Sequence, residues 1–215
     1  MKIIYEDADV LAIDKPVGFD VVAVGEWATK KYPEAKLAHR LDKDTTGVLL
    51  IAKNEKVYEY LKNLFQNHEI KKKYLALVYG NIKNETGIIN FPIGRSRKDP
   101  RKRIAGKGAT SKLREAVTEY QVLERLPGYT LVEARPKTGR THQIRAHFKA
   151  LGYPIVADQL YAPESMLEQS AKLPIARQAL HAAGLELALP SGTKKEFKAE
   201  IPADLVAVLA NLRRA

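Results

Sequence analysis

The sequence predicts an α+β fold whose neighbouring strands are mostly antiparallel. Three observations carry that prediction. Short β-rich segments dominate the chain. Pro127-Gly128 separates two strand-like runs, Ala116–Leu126 and Tyr129–Ala134, a hairpin signature. Helical patterns occur singly, so the sustained βαβ alternation of a parallel sheet is missing.

In chain order, Lys2–Tyr5 and Val10–Asp14 read as strands, the second ending at the turn Lys15-Pro16-Val17-Gly18. Glu26–Tyr32 reads as a short helix stopped by Pro33. Thr46–Ala52 is nearly all apolar, which predicts a strand covered on both faces. Glu55–His68 is the clearest helix. Val57, Tyr60, Leu61, Leu64 and Phe65 form one stripe, and Asn54 is a good N-cap. Lys73–Tyr79 and Gly87–Ile93 read as strands around Gly80. Thr141–Leu151 is a helix with Ile144, Phe148 and Leu151 inward and Gln143, Arg145 and Lys149 outward, Thr141 being its N-cap. Ala179–Leu189 and Phe197–Ile201 are strands, and Ala203–Arg214 is an amphipathic terminal helix.

At 215 residues the chain is expected to be one compact domain with a sizeable core. No apolar run approaches membrane-spanning length, and Met1–Asp7 turns acidic too early for a signal peptide. There is no cysteine, which excludes disulfides and thiolate chemistry and points to the cytoplasm. Five scattered histidines lack zinc spacing. The net charge is +11 and the pI about 9.6. From Arg95 to Lys112 eight basic residues face one acid, so this stretch carries +7 of that charge. It reads as a mobile basic loop for a polyanion, with Arg101, Lys102 and Arg103 at its centre.

Three segments could carry chemistry. His39-Arg40-Leu41-Asp42-Lys43-Asp44-Thr45-Thr46-Gly47 sets an acid near a cation just before a buried strand. Asp42 is either an ionised nucleophile or a loop-capping acid, and Arg40 is a poor ion partner because turn residues two apart often diverge. Gly139-Arg140-Thr141-His142 opens a helix, where Arg140 could hold an anion or simply sit on a basic helix. Lys71-Lys72-Lys73 precede Tyr74, which could stack on a base or be half-buried core behind edge lysines.

Taken together, His39-Arg40-Leu41-Asp42-x-x-Thr45-x-Gly47, Lys73-Tyr74-x-Ala76-Leu77-Val78-x-Gly80 and Gly139-Arg140-Thr141-His142-Gln143-Ile144-Arg145-x-His147 resemble the RluA-type pseudouridine synthases in order and spacing. Val10–Gly18, Gly152-x-Pro154-Ile155-x-x-Asp158 and Leu180-His181-Ala182 extend the resemblance over nearly the whole chain. It implies a central, largely antiparallel mixed sheet with a cleft for RNA. It also implies conversion of uridine within RNA to pseudouridine: the N1–C1′ bond breaks, the uracil turns, and C5 joins C1′. Members need no metal or organic cofactor.

By the same resemblance Asp42 is the catalytic aspartate and Arg140 its ion partner. Arg40 helps displace the target base, Tyr74 lies against the flipped base, and Ile144 lines the pocket. Thr46 stands where many members have Ser, and Phe19–Ala23 lacks a His-Pro that they often show. Many members carry an N-terminal S4 RNA-binding domain. This chain starts directly at the catalytic domain, so RNA selection is expected from that domain and its basic loop. The expected partner is 23S rRNA, tRNA or both, without a membrane, and the expected state is a monomer. Two other readings compete: a non-catalytic RNA-binding or ribosome-assembly protein on the same fold, and an RNA N-glycosylase, which lacks a second acid within the motifs.

Overall fold

The computed structural model describes residues 1–106, 109 and 112–214. They form an α+β architecture with a mixed sheet and, among the described residues, five α-helices. Two compact units emerge, residues 1–73 with 181–200 and residues 74–180 with 201–215.

The first unit opens with β1 (Lys2–Glu6) and β2 (Val10–Lys15), an antiparallel pair. Helix α1 (Val21–Lys31) follows, five residues earlier than the pattern suggests. Its N-cap Asp20 accepts hydrogen bonds from the amides of Val22 and Ala23, and this cap outweighs the strand preference of three valines. A two-residue β3 (Lys36–Leu37) leads to β4 (Thr46–Ala52), every residue of which is buried, as its apolar run implies. Helix α2 (Glu55–Gln66) is capped by Asn54, whose side chain accepts from the Val57 amide at 3.0 Å. Strand β5 (Lys71–Tyr79) leaves this unit after Lys73.

The chain returns at His181 within β11 (Leu180–Ala188) and finishes the unit with β12 (Lys194–Lys198). The strand order is β1-β2-β4-β11, with β3 on β4 and β12 on β11. The pairing of β4 with β11 is parallel, which makes the sheet mixed. Val57, Leu61 and Leu64 of α2 pack with Val48, Leu50, Leu185, Leu187 and Phe197 in one core.

The second unit contains the rest of β5, then β6 (Thr86–Ile89), β7 (Ile93–Arg95), β8 (Arg103–Ala105), β9 (Thr118–Leu126) and β10 (Tyr129–Pro136). Strands β5-β10-β9-β6 are antiparallel neighbours. Leu126 faces Tyr129 across the two-residue turn, where Gly128 takes φ +76°, so the Pro-Gly hairpin forms as its sequence implies. Helix α3 (Gln143–Ala150) lies against β8, β9 and β10. A short α4 (Glu164–Ser170) begins after Pro163, a stop-and-start signal the periodicity alone does not reveal. The last helix, α5 (Ala203–Leu212), is pinned by Arg177 to Asp204 and by Arg213 to Glu124. Among the described residues no helix is long and apolar enough to cross a membrane.

Candidate active site

The Asp42 loop is held from below by its neighbours. His39 turns inward: its Nε2 accepts the Leu50 amide at 2.9 Å, and its ring stacks on Phe65 with centroids 4.5 Å apart. Burial, aided by the Lys72 cation, drives its imidazole down to about 3, so it stays neutral and can accept. Leu41 is buried, Arg40 is exposed and Asp42 is half-buried. The Thr45 amide closes a turn on the Asp42 carbonyl at 3.0 Å. Alternating anchors thus keep the guanidinium of Arg40 at the surface.

A buried cation secures the next residue. Lys15 is fully buried, and its Nζ donates to the carbonyls of Pro16, Phe19 and Lys43 at 2.9, 2.9 and 2.8 Å. The Gly18 amide also donates to the Lys43 carbonyl. The Lys-Pro-x-Gly turn and the Asp42 loop are therefore joined through one ammonium. Further along, Thr46 Oγ1 bonds His181 Nδ1 at 2.9 Å, and Gly47 at φ +111° lies so close to β11 that a Cβ there would run into the Ala182 carbonyl.

The second unit carries Tyr74, Arg140 and Ile144. Tyr74 is half-buried on β5 opposite Ala134 of β10. Arg140 occupies the turn before α3. Its amide donates to Gln143 Oε1 at 2.9 Å, and its Nε donates to the Glu115 carbonyl at 3.0 Å. Gln143 Oε1 also accepts from Thr138, while its Nε2 donates to the Val117 carbonyl and Thr118 Oγ1. Ile144 is buried.

Two expectations for this helix need correcting. It starts at Gln143 with His142, at φ +55°, as N-cap, so Thr141 is not the cap. Gln143 and Arg145 point inward rather than outward. Arg145 makes a bidentate pair with the buried Asp158 at 2.7 and 2.8 Å. The reason is tertiary: Asp158 arrives from another segment and satisfies a guanidinium that helical periodicity assigns to solvent.

The basic stretch also differs from a loop. Arg95 pairs with Arg103 across the β7–β8 hairpin. Arg101 is exposed and doubly bonded to Asp99, which holds that carboxyl down at about 2. Arg103 Nη1 donates to the carbonyls of Pro100 and Lys102. Ile93, the first residue of β7, is buried with Ala116, Ala146 and Tyr161 and anchors the small hairpin. Lys107 and Gly108 of this stretch lie outside the described residues.

Lys15, Gln143, His181 and Tyr161 are structural partners that motif reading passed over or saw only as segment markers. Among the described residues, no group of three or more His, Asp or Glu could hold a metal ion.

The profile of the RNA pseudouridylate synthase family matches residues 9–150, a span that includes Arg40, Asp42, Tyr74, Arg140 and Ile144. The chain belongs to the RNA pseudouridylate synthase family. Such an enzyme is an isomerase that converts uridine in RNA to pseudouridine. An uncharacterized RNA pseudouridine synthase of Bacillus subtilis is 36% identical over 232 residues, covering 100% of this chain and 73% of the relative. A ribosomal large subunit pseudouridine synthase D of Nitrosomonas europaea is 37% identical, covering 99% of this chain and 65% of the relative. The chain thus spans about two thirds to three quarters of these two relatives. Human RNA pseudouridylate synthase domain containing 1 superposes with a TM-score of 0.82 at 26% identity, covering 100% of this chain and 95% of that one.

Proposed function

We propose that this synthase modifies uridine in 23S rRNA, tRNA or both, with Asp42 as the reacting carboxylate. The observation that carries the reading is the build of the Asp42 loop: His39, Leu41 and Lys15 fix its backbone while Arg40 stays exposed. A loop-capping acid would need no such scaffold. The relatives named as ribosomal large subunit pseudouridine synthases C and D support rRNA as substrate.

Chemistry on a stacked base requires that the base leave the stack, at a cost of about a few kcal/mol. Arg40 offsets this by filling the vacated space with a planar cation. Tyr74 supplies an aromatic wall that retains the uracil while it turns, and Ile144 an apolar surface beside it. The family resemblance assigns Arg140 as the cation that accompanies the reacting aspartate. The carboxylate then attacks C1′, removes the 2′ proton to give a glycal, or adds to C6 of the uracil; each route needs it ionised. Arg101, Lys102 and Arg103 hold phosphates.

The test maps pseudouridines in total RNA from wild type, a deletion strain, and the deletion carrying Asp42→Asn. Specific sites should vanish on deletion and stay absent with Asp42→Asn, while the purified variant still binds RNA. Restoration of every site by Asp42→Asn would sink the assignment and favour a non-catalytic role for the loop.

A further inference from the structure

In the second unit one side chain joins the basic hairpin to the turn that carries Arg140. The Tyr161 hydroxyl lies 2.7 Å from the backbone nitrogen of Arg103 in β8 and 3.0 Å from Nδ1 of His142, the N-cap of α3. Donor chemistry orients the first contact. A backbone N–H only donates, so the phenol oxygen accepts from Arg103. The direction of the His142 contact follows the imidazole tautomer: the hydroxyl donates to an unprotonated Nδ1 or accepts from a protonated one.

Tyr161 is itself fixed. It is 6% exposed and packs with Ile93, Ala116 and Ala146. The Arg145 guanidinium sits over its ring at 5.0 Å. Asp158, paired with Arg145, accepts its backbone amide at 3.2 Å. The hydroxyl is therefore a rigid post between two elements. His142 meets the same ring edge-on, with centroids 5.7 Å apart, and holds a left-handed backbone that is uncommon outside glycine. Two residues before it stands Arg140, whose amide bonds the side chain of Gln143 at the start of α3.

We propose that Tyr161 is a positioning residue whose hydroxyl couples the hairpin to the Arg140 turn, so that RNA engagement and placement of Arg140 occur together. The proposal rests on the reading of the hairpin as an RNA contact and of Arg140 as part of the machinery. A rigid post that ties the RNA-facing hairpin to the Arg140 turn passes any shift of one on to the other, and small misplacements in such sites are costly.

Tyr161→Phe removes one oxygen and keeps the ring, its packing and the Arg145 contact. With substrate RNA, kcat should fall about tenfold while KM changes by less than about twofold. In a background of Arg101→Ala, Lys102→Ala and Arg103→Ala the same change should add little, because coupled residues are non-additive. A full additive loss, or an unchanged kcat in the otherwise wild-type enzyme, overturns the proposal. Hydrogen exchange supplies a readout without turnover. A short single-stranded RNA should slow exchange of the 140–146 amides in wild type and not in Tyr161→Phe; equal protection in both, or in neither, also overturns it. If the wild type forms no pseudouridine yet shows this exchange pattern, the functional reading fails and the coupling stands.

Discussion

At Lys15 a full positive charge leaves water and meets three backbone carbonyls. Desolvating an ammonium is costly, and all three of its donors must be matched to offset the loss. His39 uses the opposite device, staying neutral so that it can accept the Leu50 amide. Its imidazole is held at about 3 in the fold against about 6.5 in an unfolded chain. Between those values the unfolded state binds more protons, so this stability is fully present above about pH 6.5 and declines as pH falls toward 3. His39→Gln should therefore cost stability at pH 7, and its deficit should shrink by on the order of 1–2 kcal/mol at pH 4.5. Urea midpoints of the two proteins measured across that range check this; parallel profiles would refute it. Asp42, Tyr74 and Arg140 could be singled out in the sequence because each sits in a motif with fixed spacing. Lys15 was hidden because its partners are backbone carbonyls, and Gln143 because its partners Val117, Thr118 and Thr138 lie outside its own helix.

Among elements, the ones legible in the sequence were those whose pattern and local chemistry agree. Strand β4, helix α2 with its Asn54 cap and the Pro-Gly hairpin form as their residues imply. Those misjudged depend on something distant or on a cap. Helix α1 starts at an Asp20 cap among valines, α3 buries an arginine on a remote aspartate, and β7–β8 orders a stretch that reads as loop. The hairpin now concentrates its cations on a defined scaffold, with Arg101 already engaged by Asp99. Replacing Arg101, Lys102 and Arg103 by Ala should weaken RNA binding and reduce the slope of log affinity against log salt by about two for single strands. Binding measured at several salt concentrations decides it. An unchanged slope would remove the hairpin from the RNA contact.

At the scale of the molecule, each compact unit is assembled from two separate stretches of chain. The parallel pairing of β4 with β11 joins Thr46 to His181, and Gly47 to Ala182. A contact of such sequence separation forms late, since a long loop must close before any pairing rewards it. A chain ending at Leu180 would leave the fully buried β4 without this partner and should aggregate or bind a hydrophobic dye on expression. A soluble, cooperatively melting product of that length would contradict the assignment. The consequence concerns the order of events during synthesis. Residue 42 leaves the ribosome early, but the strand that completes the support of β4 does so only after about 140 further residues. Asp42 is therefore translated long before the strand that follows it gains its full support.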